Sequence, residues 1–335
     1  VKAIGYKVQG AIDRPEALLD VEIEKPAPGG RDLLVEIKAV SVNPVDSKLR
    51  TNAPPDKSGL KILGFDAAGI VAAVGPEATL FKPGDEVFYA GSMVRSGTNA
   101  QFHLVDERIV GAKPKSLNWA EAAALPLTTI TAWEALFERM DIRRPVPGAA
   151  NAIVIIGGAG GVGSIAIQLA RKLTDVTVIA TASRPETIEW CKKMGAHHVV
   201  DHTRPLAEQV TALGLGAPAF VFSTNHTQAH VPQIAELIAP QGRLGVIEGV
   251  NDITALMRKS ISIHWELMFT RSMFQTADIA RQHDLLTEAS TLVDQGVLKT
   301  TLTSMLSPIN AANMKRAHEQ VESGRTIGKI VIEGF

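Results

Sequence analysis

The sequence predicts an α/β protein in two parts, a β-rich domain and a doubly wound parallel-sheet domain. Three observations predict it. At 335 residues the chain is too long for one ordinary hydrophobic core. Residues 1–124 read as short β-type runs separated by Pro/Gly turns. From about residue 125 strand-like and helical runs alternate, the pattern of βαβ units whose helices cover both faces of a parallel sheet.

Taken in order, "DLLVEIKAVSV", "AAGIVAAVG", "GDEVFYA" and "QFHLVD" are the β-type runs, and "KPAPGG" and "FKPGDEV" are turns. Then come "NAIVII" (strand), "GSIAIQLARKL" (helix), "VTVIATA" (strand), "PETIEWCKKMG" (helix) and "HHVVD" (strand). "PAFVFST", "VPQIAELIAP" and "GRLGVIEG" continue the alternation. "SISIHWELMF" reads as a further strand, mainly buried, and a helical stretch follows near 276–295. The tail from "TTLTSML" to "GKIVIEGF" reads strand, helix, strand, and by pattern alone fits either domain.

The uncharged run 153–170 is long enough to cross a bilayer, which needs about 20 residues. Its glycines cluster, however, and each would cost a helix roughly 1 kcal/mol. The run is therefore strand, glycine turn and helix. No secretory leader is expected at the start of the chain. A net charge of −1 gives no basic surplus for nucleic acid or anionic lipid, so neither is expected as a partner. The single cysteine, Cys191, excludes an internal disulfide and a thiolate-rich structural zinc lobe. It lies in a helical pattern and reads as a core thiol, in a cytoplasmic protein.

Gly158-x-Gly160-x-x-Gly163 stands directly after a predicted strand and opens a predicted helix. Glycines here allow a tight turn and let a pyrophosphate touch backbone amides at a helix N-terminus. Gly158, Ala159, Gly160, Gly161, Val162 and Gly163 are thus candidate cofactor contacts. A site for NAD carries Asp or Glu about 20 residues on, at the next strand end, for the ribose 2′-hydroxyl. "TASRP" has Ser183 and Arg184 there and no acid. A hydroxyl and a guanidinium suit a 2′-phosphate, which predicts NADPH. His202 is a further candidate beside that phosphate, with simple surface exposure as the alternative. Ile247, at the end of "GRLGVIEG", is a candidate cofactor contact as well.

"SVNPVDSKLR", "GFDAAGIVAAVG", "FKPGDEV", "AAALPLTTITAWEAL", "GGAGGVGSIAIQLAR" and "MGAHHVVDH" occur in that order over nearly the whole chain. Together they resemble the medium-chain dehydrogenase/reductase superfamily, its quinone oxidoreductase branch and the proteins called zinc-type alcohol dehydrogenase-like. The resemblance implies a GroES-like catalytic domain from 1–124 and 296–335, with a Rossmann NADP-binding domain over 125–295. It implies a homodimer, with the "HWELMFTRSMF" region pairing subunits and lining the cleft.

Zinc members of the superfamily ligate metal with Cys, His and Cys. The matching positions are Asn43, Phe65 and Leu127, which cannot make a thiolate/imidazole site, so no metal is expected. Asp46 and Asp66 match acidic positions near that metal, and two separated carboxylates make a poor zinc site. His226 and His230, four apart at a helix start, read as polar cap residues.

Without a Lewis acid, hydrogen-bond donors must stabilise charge on the acceptor oxygen. Conjugated acceptors suit this, because hydride addition spreads the charge and a proton follows from solvent. The expected function is zinc-independent, NADPH-dependent reduction of quinones or α,β-unsaturated carbonyls. The alternatives are an NADP-linked alcohol/aldehyde dehydrogenase and a non-catalytic NADPH-binding structural or sensor protein. Candidate catalytic residues are Asn43, Asp46, Lys48 and Thr131. Asn43 offers an amide donor, and Asp46 orients its neighbours. Lys48 stands where quinone reductases have a tyrosine, and either holds an enolate oxygen or is an exposed strand-end lysine. Thr131 matches a threonine bordering the nicotinamide, with a helix-interior back-bond as the alternative.

Overall fold

Strand His198–Val200 begins a six-stranded, all-parallel sheet that continues through Thr177–Thr181, Ala150–Ile156, Pro218–Ser223, Arg243–Val246 and Ser262–Trp265. The order reverses at Ala150–Ile156, which lies between the strands that follow it and those that come later in the chain. Its side chains explain the central place: Ile153, Val154, Ile155 and Ile156 are all buried, so both faces of the strand are covered. Helices Gly161–Leu173 and Pro185–Met194 pack together, as do Leu206–Ala212 and Thr227–Leu237. Val154, Ile179, Val221, Leu244 and Ile234 join one core cluster.

The computed structural model describes all residues 1–335 and divides into two units, Val1–Leu127 with Phe269–Phe335, and Thr128–Met268. The first unit holds a seven-stranded sheet around strand Asp32–Val42. That strand pairs antiparallel with Lys329–Glu333, Asp66–Val74 and Phe102–Asp106. Leu302–Leu306 extends one edge, and Glu86–Tyr89 and Val110–Ala112 the other. A smaller sheet orders Leu19–Glu22, Lys2–Tyr6 and Lys61–Ile62. Both ends of the chain therefore build one β-rich unit, with Val35, Val40, Val71, Ile330 and Ile332 in its core.

The structure departs from the sequence expectations at three points. The contact division falls at 127/128 and 268/269 instead of 124/125 and 295/296. Helix Arg281–Asp294 packs on Val110–Ala112, where His283 Nδ1 lies 2.6 Å from the Val110 carbonyl oxygen. The Asp294 carboxylate accepts from the Lys115 and Ser116 backbone amides at 3.1 and 2.8 Å. A helix after a strand reads as one more βα unit, and nothing local reveals that it docks elsewhere. Lys48 is exposed as expected for one of its two readings, but on a helix, Pro44–Asn52, where a strand end was expected. Pro44 at the first helical position and Asp46 in the first turn are the cause. "SISIHWELMF" is a strand only over Ser262–Trp265. Met268 and Phe269 are buried, whereas Trp265 is 53% and Leu267 48% exposed.

Cys191 is free and buried, and burial pushes its thiol up to about 12, so it is inert at neutral pH. No helix is long and apolar enough to cross a membrane.

Candidate active site

The glycine turn joins strand Ala150–Ile156 to helix Gly161–Leu173. The left-handed residue is Gly157 (φ +82°), one position before the fingerprint, and it makes the tight turn. Its N–H donates to Thr181 Oγ1 at 3.1 Å, and the Gly158 N–H donates to the Thr181 carbonyl at 3.1 Å. A Cβ on Gly163 would lie 2.2 Å from the Gly157 carbonyl oxygen, so only glycine lets the helix start this close to the strand. Gly160 is the N-cap and offers no side chain to the first-turn amides. Those amides and the dipole of a 13-residue helix form a ready anion site. Ala159 is buried, and Gly161 and Val162 are part-exposed in the first turn.

Ser183 and Arg184 follow strand Thr177–Thr181 directly, and both are part-exposed. Arg184 is the N-cap residue of helix Pro185–Met194, its N–H donating to Thr187 Oγ1 at 3.1 Å. Its Nε lies 3.3 Å from Glu186 Oε1. His202 Nδ1 is 3.2 Å from Thr181 Oγ1, the hydroxyl that also accepts from Gly157. Burial lowers the His202 pKa, with Asp201 opposing and His226 and Arg184 adding. Thr181 thus couples the glycine turn to His202, a link that sequence spacing does not reveal. Ile247 directly follows strand Arg243–Val246 and is part-exposed. His226 is the N-cap residue of helix Thr227–Leu237 with a left-handed backbone (φ +50°) and no side-chain cap hydrogen bond, and His230 lies within the helix, so neither imidazole is a side-chain cap.

Thr131 is buried in helix Pro126–Trp133. The helix runs on as a π-helical segment, Glu134–Arg139. Glu134 and Glu266 are both buried there, and Arg139 Nε donates to Glu266 Oε2 at 3.0 Å. Burial, then the Glu134 carboxyl, pushes Glu266 up to about 9. The sequence leaves Glu266, like His264, without an assigned role, and its pairing with Glu134, 132 positions away, is not legible in the spacing.

In the first unit, Asn43, Asp46 and Asp66 meet in one buried polar cluster whose centre is Lys329. Lys329 Nζ donates to Asp66 Oδ2 at 2.9 Å, to Asn43 Oδ1, and to the Val42 carbonyl at 3.4 Å. Asn43 Nδ2 donates to Asp66 Oδ2 at 2.8 Å, and Asp66 Oδ1 accepts from the Leu127 N–H at 2.7 Å. Asp46 accepts from the Asn43 N–H at 2.8 Å and the Gly64 N–H at 3.1 Å. Burial pushes Asp46 up to about 7, against the pull of those amides and of Lys329. The Asn43 carboxamide is therefore held at both ends inside the unit. Lys329 was missed by the sequence reading. The available signal was a lysine in alternating register with Val331 at the start of an apolar strand.

The residues do not fit a zinc ion. Asn43 is an amide already bound to a cation, the Phe65 ring packs on Phe269, and Leu127 contributes its backbone N–H. No group of three or more His, Cys, Asp or Glu is arranged to hold a metal.

Comparison with known proteins adds the lineage. The family pattern described as alcohol dehydrogenase GroES-like domain matches residues 29–130, and the one described as zinc-binding dehydrogenase matches 194–332. A zinc-type alcohol dehydrogenase-like protein of Staphylococcus aureus (strain MSSA476) is 40% identical, covering 99% of both chains. A solved structure of a proposed zinc-dependent alcohol dehydrogenase from Rhizobium etli CFN 42 is 66% identical, with TM-score 0.98, over 100% of this chain and 98% of that one. A quinone oxidoreductase of Pseudomonas syringae pv. tomato DC3000 is 26% identical, with TM-score 0.81, over 99% of each chain. With its GroES-like unit, its Rossmann sheet and its glycine turn, the chain belongs to the medium-chain dehydrogenase/reductase superfamily, among the zinc-type alcohol dehydrogenase-like proteins, and is an oxidoreductase with a nicotinamide-nucleotide-binding fold.

Proposed function

We propose that this protein reduces the conjugated carbonyl of a quinone or an α,β-unsaturated ketone with NADPH, in the cytoplasm and without a catalytic metal. One observation carries the reading. The nucleotide turn is intact, whereas the positions that the resemblance matches to metal ligands hold an amide, a phenyl ring and an isobutyl group. Oxidation of a simple alcohol needs an alkoxide at the outset, which a Lewis acid would stabilise. A conjugated acceptor spreads the incoming charge and needs only hydrogen-bond donors.

A bound nicotinamide supplies the hydride. The first-turn amides of helix Gly161–Leu173 take the pyrophosphate, and Ile247 borders the cofactor. Ser183, Arg184 and His202 take the 2′-phosphate, and Thr131 borders the nicotinamide. On the acceptor side, Lys48 donates to the developing oxyanion from its exposed position on helix Pro44–Asn52. Asn43 and Asp46 fix the start of that helix, because Asn43 is its N-cap and the Asp46 carboxylate accepts the Asn43 N–H. The final proton comes from solvent.

The working form is a homodimer. Strand Ser262–Trp265 is the outer edge of its sheet, and the half-exposed Trp265 ends it, with half-exposed Leu267 just beyond.

The test is NADPH and NADH consumption against a panel of quinones, enones, aldehydes and alcohols. Turnover of quinones or enones with NADPH is expected. Turnover confined to alcohols and aldehydes would replace this reading with a dehydrogenase, and no turnover with tight NADPH binding would make the protein a binding module.

A further inference from the structure

Lys329 is a fully desolvated cation whose three donors all find acceptors. An ammonium so placed is costly, and it persists only with a paired anion and satisfied geometry. The acceptors belong to segments far apart in the sequence. Val42 and Asn43 end the central strand, Asp66 starts the next one, and Asp66 in turn holds the Leu127 N–H. Through the Asn43 N–H the network reaches Asp46 and then Gly64. Residue 43, both neighbours of Phe65, and Leu127 are thus tied to one point. The Asn43 amide cannot flip, since its oxygen faces the cation and its nitrogen the carboxylate.

We propose that Lys329 is a positioning residue for the acceptor half of the reaction, its ammonium cross-linking the three segments whose metal-ligand positions hold no zinc donors. The helix bearing Lys48 starts from the peptide so fixed. The inference rests on the reductase reading for its kinetic consequence, and on the network alone for its structural one.

The decisive variant is the uncharged pair Lys329→Met with Asp66→Asn. Replacing both partners removes the ion pair itself, and Asp46, already pushed up to about 7 by burial, can take up a proton once Lys329 is gone, so the fold should persist. The NADPH Kd, read by cofactor fluorescence, should stay within about 2-fold, because the cofactor turn lies in the other unit. kcat/KM for whichever acceptor the parent turns over should fall by about 10-fold or more. Amide hydrogen exchange at Asn43 and Leu127 should accelerate by about 10-fold, while amides of Thr177–Thr181 keep their parental rates. In the single variant Lys329→Ala, millimolar ethylammonium should restore part of the lost kcat/KM and tetramethylammonium none. Should the uncharged pair fail to fold, Lys329→Arg and amine-supplemented Lys329→Ala decide, by the same kinetic and exchange readings.

Parental kcat/KM in the uncharged pair, or unchanged exchange at Asn43 and Leu127, would overturn the proposal. A parent inactive on every acceptor sinks the reductase reading instead, and the exchange measurement still decides the role of Lys329.

Discussion

The Phe65 and Phe269 rings pack tilted at 53°, their centroids 4.7 Å apart. Phe65, the position that the resemblance matches to a histidine ligand of zinc members, is thus a ring packed on a second ring. The first prediction is metal independence. Protein treated with a strong chelator should keep its unfolding temperature and its turnover, and elemental analysis should find far less than one zinc per chain. Stoichiometric zinc whose removal abolishes activity would contradict it.

The cofactor preference is tested at Arg184. Its guanidinium is part-exposed, with Nε 3.3 Å from Glu186 Oε1, at the end of the strand that follows the glycine turn. Arg184→Ala should weaken NADPH binding by about 1.5–3 kcal/mol, the range for a hydrogen bond to a charged group, and leave NADH almost unchanged. Ser183→Asp in the same background should turn the preference toward NADH, because a carboxylate repels the 2′-phosphate and accepts a 2′-hydroxyl. Equal parental affinity for both cofactors would defeat this assignment.

The acceptor donor is tested at Lys48. Lys48→Met should lower kcat by one to three orders of magnitude, on the scale of about 10²–10³ for loss of an oxyanion donor. NADPH affinity should hold. Unchanged kcat would return Lys48 to a solvated helix position.

Stability should fall with pH through Glu266. The buried Glu266–Glu134 pair keeps one proton, which appears at Glu266 as a rise to about 9 against 4.5 for the free group. Between those values the unfolded chain binds fewer protons, so the contribution of this burial is fully present below about 4.5 and lost as pH rises through about 9. Glu266→Gln does not titrate. Its melting temperature relative to the parent should therefore climb from pH 5 to pH 9, and a constant difference would show that the burial is not felt.

Assembly is tested on the outer strand. Trp265→Arg with Leu267→Glu should give monomers by sedimentation at micromolar concentration, where the parent sediments as a dimer. A parental monomer would remove the edge-pairing assignment.

Much of the fold is legible in the sequence, and for identifiable reasons. Ile153–Ile156 followed by clustered glycines is local information, and the strand, turn and helix follow from it. The missing acid after Thr181 is local too. Two features were hidden by distance along the chain. Lys329 reads as the polar start of an apolar strand, and only pairing with strand Asp32–Val42 brings it to Asn43 and Asp66. Helix Arg281–Asp294 has the amphipathic pattern of any βα helix, and its docking on Val110–Ala112 is a tertiary choice. The strand-end reading of Lys48 fails because Pro44 opens a helix directly after the run "DLLVEIKAVSV", a start signal that the β-rich pattern around it masks.

The pairing of Lys329 with Asp66 spans 263 positions. During synthesis the strands Asp32–Val42 and Asp66–Val74 can pair early, yet the carboxylate between them must wait for a partner that leaves the ribosome only after the whole Rossmann unit. Until then Asp66 stays hydrated, and the interior of the β-rich unit cannot close dry. The nucleotide-binding unit, whose sheet strands lie within 116 positions of one another from Ala150 to Trp265, faces no such delay. The order of maturation is thereby written into the chain: the parallel-sheet unit can be finished while the β-rich unit is still open.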